Sequence, residues 1–180
     1  VGAALDFDYR DEPVYSTVGG YYRAGWTYFD DRKLAQFSFR QYAAELRQYL
    51  PVFSRNRVVA LRALSILTDT NPSNEVPFFM MGALGGIESL RGFPDARFRD
   101  RNFLLLNAEY RWTVFTQMDA VVFADAGKVF PKVSQIGFKN LETSFGFGAR
   151  FKTPKGPLIR VEFAFSNEER RIGPGYRPPF

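Results

Sequence analysis

The sequence predicts an all-β chain, built as an antiparallel sheet of about eight strands interrupted by one long loop. Three observations predict it. Apolar and polar residues alternate over stretch after stretch, with little competing helical period. The stretches are separated by short clusters of turn residues. Aromatics are abundant, with 20 Phe, 9 Tyr and 2 Trp among 180 residues, which disordered and coiled-coil chains do not carry. The length fits one domain.

The first stretch, about Gly2 to Tyr9, sets Ala3, Leu5, Phe7 and Tyr9 against Ala4, Asp6, Asp8 and Arg10. Asp11, Glu12 and Pro13 turn the chain. The second, about Gly20 to Phe29, sets Tyr22, Ala24, Trp26 and Tyr28 against Arg23, Gly25 and Thr27, and Asp30 to Lys33 turns it again. The third, about Phe37 to Leu50, sets Tyr42, Ala44 and Leu46 against Gln41, Glu45 and Arg47. Tyr42, Leu46 and Tyr49 also fit one face of a helix, and Ala43 to Leu46 has helical propensity; strand is preferred because the neighbours are strands. Ser54-Arg55-Asn56 reads as a turn. The fourth stretch, about Val58 to Leu67, sets Val59, Leu61, Ala63 and Leu67 against Arg62.

An irregular segment of about residues 68–101 follows. The fifth stretch, about Asn102 to Trp112, carries Leu104, Leu106, Ala108, Tyr110 and Trp112 opposite Asn107, Glu109 and Arg111. The sixth, about Met118 to Lys128, carries Ala120, Val122, Ala124 and Ala126 opposite Asp119, Phe123 and Asp125. The seventh, about Thr143 to Lys152, carries Phe145, Phe147, Ala149 and Phe151 opposite Ser144, Gly146, Gly148 and Arg150. Residues Thr153 to Pro157 turn into the eighth, about Leu158 to Ser166, where Ile159, Val161, Phe163 and Phe165 oppose Arg160, Glu162 and Ala164. Pro174, Pro178 and Pro179 in the tail confine any ninth strand to an edge.

Periodicity does not say which face is inside. A soluble sandwich or lipocalin-like barrel buries the apolar face; a transmembrane barrel turns it out to lipid and the polar face to the lumen. Three features favour the membrane. The strands have about the 9 to 11 residues that cross a bilayer when tilted. Tyr9, Tyr28, Tyr110 and Trp112 lie near strand ends, where interfacial girdles form. The polar face carries sets of opposite charges with glycines between them.

Composition removes several chemistries. With no cysteine and no histidine, disulfides, thiolates, His-based triads and Cys or His metal sites are excluded. No apolar run approaches the roughly 18 residues of a membrane helix; the longest, Val76 to Ile87, is broken by Pro77 and glycines. The chain opens Val1-Gly2-Ala3-Ala4-Leu5, without Met or a basic leader. Leu5 to Arg10 already reads as mid-domain strand, so an excised piece of a longer chain is expected. The net charge of +5 is scattered over hairpins, and no nucleic-acid module is present.

The loop reads Gly85-Gly86-Ile87-Glu88-Ser89-Leu90-Arg91-Gly92-Phe93. It resembles the Gly-Gly…(Val/Leu)-Arg-Gly-(Phe/Tyr) signature of the bacterial surface antigen family, the BamA-like outer-membrane insertase and translocase barrels. Asp8-Tyr9-Arg10-Asp11 followed by Gly19-Gly20 resembles that family's Asp-x-Arg-Asp…Gly hairpin. Phe123-Ala124-Asp125-Ala126-Gly127 resembles its Phe-x-Asp-x-Gly strand. Thr153 to Leu158 resembles the turn before its penultimate strand, and Phe180 stands where the family ends in an aromatic, a C-terminal signal for assembly. The five fragments keep the family's order. They cover only the C-terminal half of a sixteen-stranded barrel, without the periplasmic repeats, and the tail prolines depart from the family's alternating last strand.

The resemblance implies that Arg91 projects into the lumen and pairs with Glu109 and Asp125. Strand parity agrees, since both acids lie on the polar face. A guanidinium can bridge two carboxylates that would otherwise repel. Gly92 is expected to permit a tight bend, and Phe93 to pack within the loop. The resemblance also implies protein insertion or translocation through a weak strand seam, client polypeptides, and an outer-membrane setting with lipid and lipopolysaccharide. A passive or structural barrel, or the anchor of a larger secreted enzyme, are the alternatives. No catalytic residue, cofactor or metal is expected. Asp119, Glu109 and Asp125 sit among arginines, which favours ion pairing over a carboxylate or metal site, and Gly82-x-x-Gly85-Gly86 lacks the Lys-Ser/Thr of a phosphate loop. Arg97, Arg99 and Arg101 read as a solvated or lumenal segment or as a contact to lipid phosphate. Eight strands leave no room for both their own charged side chains and an inward loop. The chain is therefore expected not to close alone, but to join a second copy edge to edge or the other half of a longer chain.

Overall fold

Each alternating stretch becomes a strand, because a pleated backbone is the conformation that sends successive side chains to opposite faces. The computed structural model describes residues 1–33, 36–71, 73–152, 159–176 and 178–180. The strands are β1 (Gly2–Asp8), β2 (Gly19–Phe29), β3 (Phe39–Val52), β4 (Ser54–Thr70), β5 (Gly82–Leu84), β6 (Phe98–Asp100), β7 (Asn102–Phe115), β8 (Met118–Phe130), β9 (Glu142–Phe151), β10 (Ile159–Ser166) and β11 (Arg170–Tyr176). Nine of them form one antiparallel sheet in the order β1-β2-β3-β4-β7-β8-β9-β10-β11. The sheet does not close; β1 and β11 are its edges. β5 and β6 pair separately inside the long loop, two short strands that alternation alone does not reveal. No helix long and apolar enough to cross a membrane occurs among the described residues, which has no bearing on crossing by strands.

Several boundaries move. The Ser54-Arg55-Asn56 turn is strand: β3 and β4 run on to a tight turn at Phe53, whose φ of 63° is left-handed. The register shifts between Pro51 and Val52 just before it, where proline cannot donate to a ladder. β4 extends to Thr70 because Phe39, Arg40 and Gln41 pair with Thr70, Asp69 and Thr68, so the irregular loop begins near residue 71 rather than 68. β3, β4 and β7 have 14, 17 and 14 residues, longer than the span expected. The helical option for residues 43–46 is not taken; Ala43 to Leu46 lie between two ladders. The tail supplies the ninth strand at an edge, where Pro174 needs no donor on its free side. The expected turn at Thr153 to Leu158 lies outside the described residues.

The faces are inverted relative to a soluble sheet. Leu5, Phe7, Leu46, Phe145 and Phe147 are exposed, while Arg91, Glu109, Arg111, Asp119, Asp125, Arg150, Arg160 and Glu162 are buried. The buried charges number four arginines and four acids among the described residues, so they are neutral in sum. Rings pack on one another along the outer wall. Phe145 stacks on Phe165 at 5.7 Å, Phe147 on Phe163 at 5.4 Å and Tyr110 on Trp112 at 5.6 Å. Gln48 also lies on this wall, near the end away from the long loop. Its Oε1 accepts from the Tyr9 and Tyr22 hydroxyls at 3.1 and 2.5 Å, and its Nε2 donates to the Gly19 carbonyl at 3.1 Å. A polar amide on an apolar wall is thus satisfied by aromatic hydroxyls at the rim.

Candidate functional site

The long loop folds into the concave side, and its backbone explains the glycines. Gly85 and Gly86 have φ of +119° and +88°, a region only glycine enters without strain. The Ser89 hydroxyl closes the bend: it receives the Gly85 N–H at 2.9 Å and donates to the Gly85 carbonyl at 2.8 Å. Gly86 N–H donates to the Phe93 carbonyl at 2.9 Å. Leu90 and Phe93 are fully buried with Leu84, Phe103 and Leu105, so the loop carries its own apolar core onto β7. Phe93 meets Phe98 edge-on at 5.1 Å. Gly127 on β8 leaves room for this core; a Cβ there would lie 3.0 Å from Leu84 Cδ1. Gly92 serves otherwise than the sequence suggests. It has no left-handed φ; what it supplies is clearance, since a Cβ would meet Ser144 Cβ at 2.8 Å, Ser166 Cβ at 2.9 Å and the Phe165 carbonyl carbon at 3.0 Å.

That close approach sets Arg91 among β7, β8 and β10. Its Nε and Nη2 donate to Asp125 Oδ2 and Oδ1 at 2.8 and 2.6 Å, a bidentate fork. Its Nη1 donates to Glu109 Oε1 at 2.6 Å and reaches Glu162 Oε2 at 3.5 Å. The guanidinium also lies over the Phe123 ring, 3.5 Å from its centroid. The structure therefore brings together Arg91, Glu109, Asp125 and Phe123.

It adds partners that sequence reading left out of the cluster. Arg150 Nη2 donates to Glu109 Oε1 at 2.7 Å and Glu162 Oε1 at 3.0 Å, and Arg111 Nε donates to Glu109 Oε2 at 2.8 Å. Asn107 Nδ2 donates to Asp125 Oδ1 at 2.8 Å and to the Ser89 carbonyl at 2.9 Å, and Ser144 Oγ to Asp125 Oδ2 at 3.3 Å. Arg160 Nη2 reaches Glu88 Oε1 at 2.5 Å and the Ile87 carbonyl at 3.2 Å. Ser166 Oγ donates to the Gly92 carbonyl at 2.7 Å, and Arg97 forks onto Glu168 at 2.8 and 3.0 Å. Register, which alternation does not give, brings them together: Asn107 pairs with Asp125, Asp125 with Ser144 and Arg150 with Arg160.

Every carboxylate oxygen of Glu109 and Asp125 accepts at least one of these bonds. Such a site holds a loop in place; it presents no free nucleophile. Among the described residues no group of three or more Asp or Glu gathers in metal-binding geometry.

Two further segments fill the concave side from the other end. The β1–β2 connection folds inward and brings the Tyr15 ring within 5.2 Å of the Arg111 guanidinium, 6.0 Å of Arg150 and 5.0 Å of Lys152. Asp11 braces this connection. Burial works against its charge, but the hydroxyl and N–H of Thr17, with the N–H groups of Val18 and Glu12, hold its carboxyl below the usual range. Phe180 does not end a strand, as a C-terminal signal would require. Pro178 and Pro179 stop the ladder beyond Tyr176, and the Phe180 ring is buried against Tyr49, Val58 and Ala60, under Arg111 and Arg62 at 5.6 and 5.9 Å.

No curated protein matches this chain. Among solved structures, BamA from Haemophilus ducreyi lacking POTRA domains 1-3 is similar, with a TM-score of 0.79 at 16% identity. The match covers 98% of this chain and 40% of that one, so the chain spans well under half the length of the protein it resembles. At that identity the likeness is one of fold. A family model for the Omp85 superfamily domain matches residues 1–173, nearly the whole chain, and the chain belongs to that superfamily.

Proposed function

We propose that this chain works in the insertion or translocation of proteins at the bacterial outer membrane, as part of a β-barrel and without enzymatic chemistry of its own. The observation that carries the reading is an inner loop latched to the polar face of a sheet whose other face is apolar and exposed, in a chain of the Omp85 superfamily. β1 and β11 each leave a row of backbone groups without a ladder partner in the sheet. In lipid every unsatisfied group of this kind costs several kcal/mol, so the edges bind strands. An edge that must bind a strand is also one that can template an incoming strand. The apolar outer wall, with Tyr110, Trp112, Tyr9 and Tyr22 at its rim, fits an outer-membrane barrel in contact with lipid and lipopolysaccharide. Proteoliposomes that hold the chain should speed the folding of an added outer-membrane β-barrel client several-fold over empty liposomes. Equal rates, together with steady conductance in a planar bilayer, would instead establish a passive pore.

The edges are completed either by a second copy or by the remainder of a longer chain. With no native cysteine, Leu5→Cys and Ile172→Cys report on edges alone. In detergent, an intermolecular cross-link and doubled mass on oxidation would establish the second copy, and the absence of any cross-link the remainder of a longer chain. An intramolecular link would show that β1 and β11 close on each other.

A further inference from the structure

Along most of the outer wall the side chains are bare: Val122 is 43% exposed and Phe145 64%. Near the mouth that holds the long loop this changes. Leu104 and Phe130 face outward by register, yet both are buried. Lys128 is the register partner of Leu104 and shares its face. The Lys128 ammonium donates to the Gln135 carbonyl at 2.8 Å and reaches the Lys139 carbonyl at 3.3 Å. Both acceptors belong to the β8–β9 connection, residues 131–141. The connection is therefore folded down against the outer wall instead of standing over the mouth, and its short turn Val133–Gln135 approaches β4.

In that position it leaves Ile136 48% exposed and Phe138 75% exposed. Lys132 and Lys139 flank them and are exposed. No acidic residue occurs between Pro131 and Leu141. The next acid, Glu142, pairs with Gly127, whose Cβ position points at Leu84 of the inner loop, so Glu142 faces inward. Apolar prongs bracketed by cations, fixed at the rim of a lipid-facing wall, match the layering of a bilayer interface, where acyl chains give way to anionic phosphates.

The geometry points to residues 131–141 as a lipid anchor: Ile136 and Phe138 enter the acyl boundary, and Lys132 and Lys139 bind the phosphate of an anionic lipid headgroup. The inference rests on the reading of the chain as a membrane barrel and goes beyond it, because nothing in protein insertion requires this connection to touch lipid.

The test uses the cysteine-free full chain in proteoliposomes, with one environment-sensitive fluorophore at Phe138→Cys and, separately, at Val122→Cys in the middle of the wall. In vesicles of phosphatidylcholine with phosphatidylglycerol, position 138 should be quenched several-fold more by a shallow acyl-chain nitroxide than by aqueous iodide. Lys132→Glu with Lys139→Glu should reverse that preference. In pure phosphatidylcholine the same pair of substitutions should change the quenching little. Stronger iodide quenching at 138 in the parent overturns the anchor, and lipid quenching unaffected by the lysine changes overturns the phosphate contact. Position 122 separates the two readings. Lipid quenching at 122 without it at 138 refutes the anchor alone, whereas none at either position refutes the membrane barrel as well.

Discussion

Arg91→Ala is expected to release the long loop and destabilise the fold by roughly 3–5 kcal/mol, the cost of removing one partner from a buried ion pair. The loss falls unequally on the two acids. Glu109 keeps Arg111 and Arg150, but Asp125 is left with only the neutral Asn107 and Ser144. The loop should become a protease target near residues 85–97, and the heat-modified gel shift should occur at lower temperature. Adding Asp125→Asn should recover part of the loss, since the orphaned charge is then gone. Wild-type protease resistance and heat-modifiability in Arg91→Ala would show that the cluster does not hold the loop.

Glu109→Ala should be at least as damaging, by about 3–5 kcal/mol. Three guanidiniums converge on this one carboxylate, those of Arg91, Arg111 and Arg150. Without it they repel one another in a buried space, and Arg111 loses the one acid it bonds among the described residues. Glu109→Gln preserves shape and one acceptor but removes the charge, so it should fall close to Glu109→Ala if electrostatics dominate and close to wild type if packing does. Denaturant midpoints of the two variants in detergent decide between these, and near-wild-type stability of Glu109→Ala would refute the account.

Strand after strand was readable because alternation and the two faces of a pleat are the same fact. Glu109 and Asp125 can be assigned to the polar face on parity alone, with no knowledge of their neighbours; strand length, aromatic strand ends and the family resemblance are what make that face the inner one. Parity says nothing about which inward residues are adjacent. Register settles that, and alternation does not give it, so Arg150 and Glu162 are legible as polar-face residues but not as members of the cluster. The β1–β2 connection and the tail were illegible for a different reason. Tyr15 and Phe180 find their places through cations brought from distant strands, and no local period marks such a residue. Gly92 shows the same boundary: the motif identified the glycine, but only the nearness of Ser144 and Ser166 explains it.

The latch around Arg91 also orders events in time. Its acids lie 18, 34 and 71 residues further along the chain. The loop therefore emerges well before the strands that hold it. Contacts of this sequence separation form late, because the entropy of closing the intervening chain is lost before any bond repays it. Before β10 is in place, Leu90 and Phe93 can already pack with residues of β4, β7 and β8, but the charged side of the loop has no complete seat. Docking of the loop thus reports that β7, β8 and β10 have all found their register, and a mispaired strand leaves the arginine with nowhere to go.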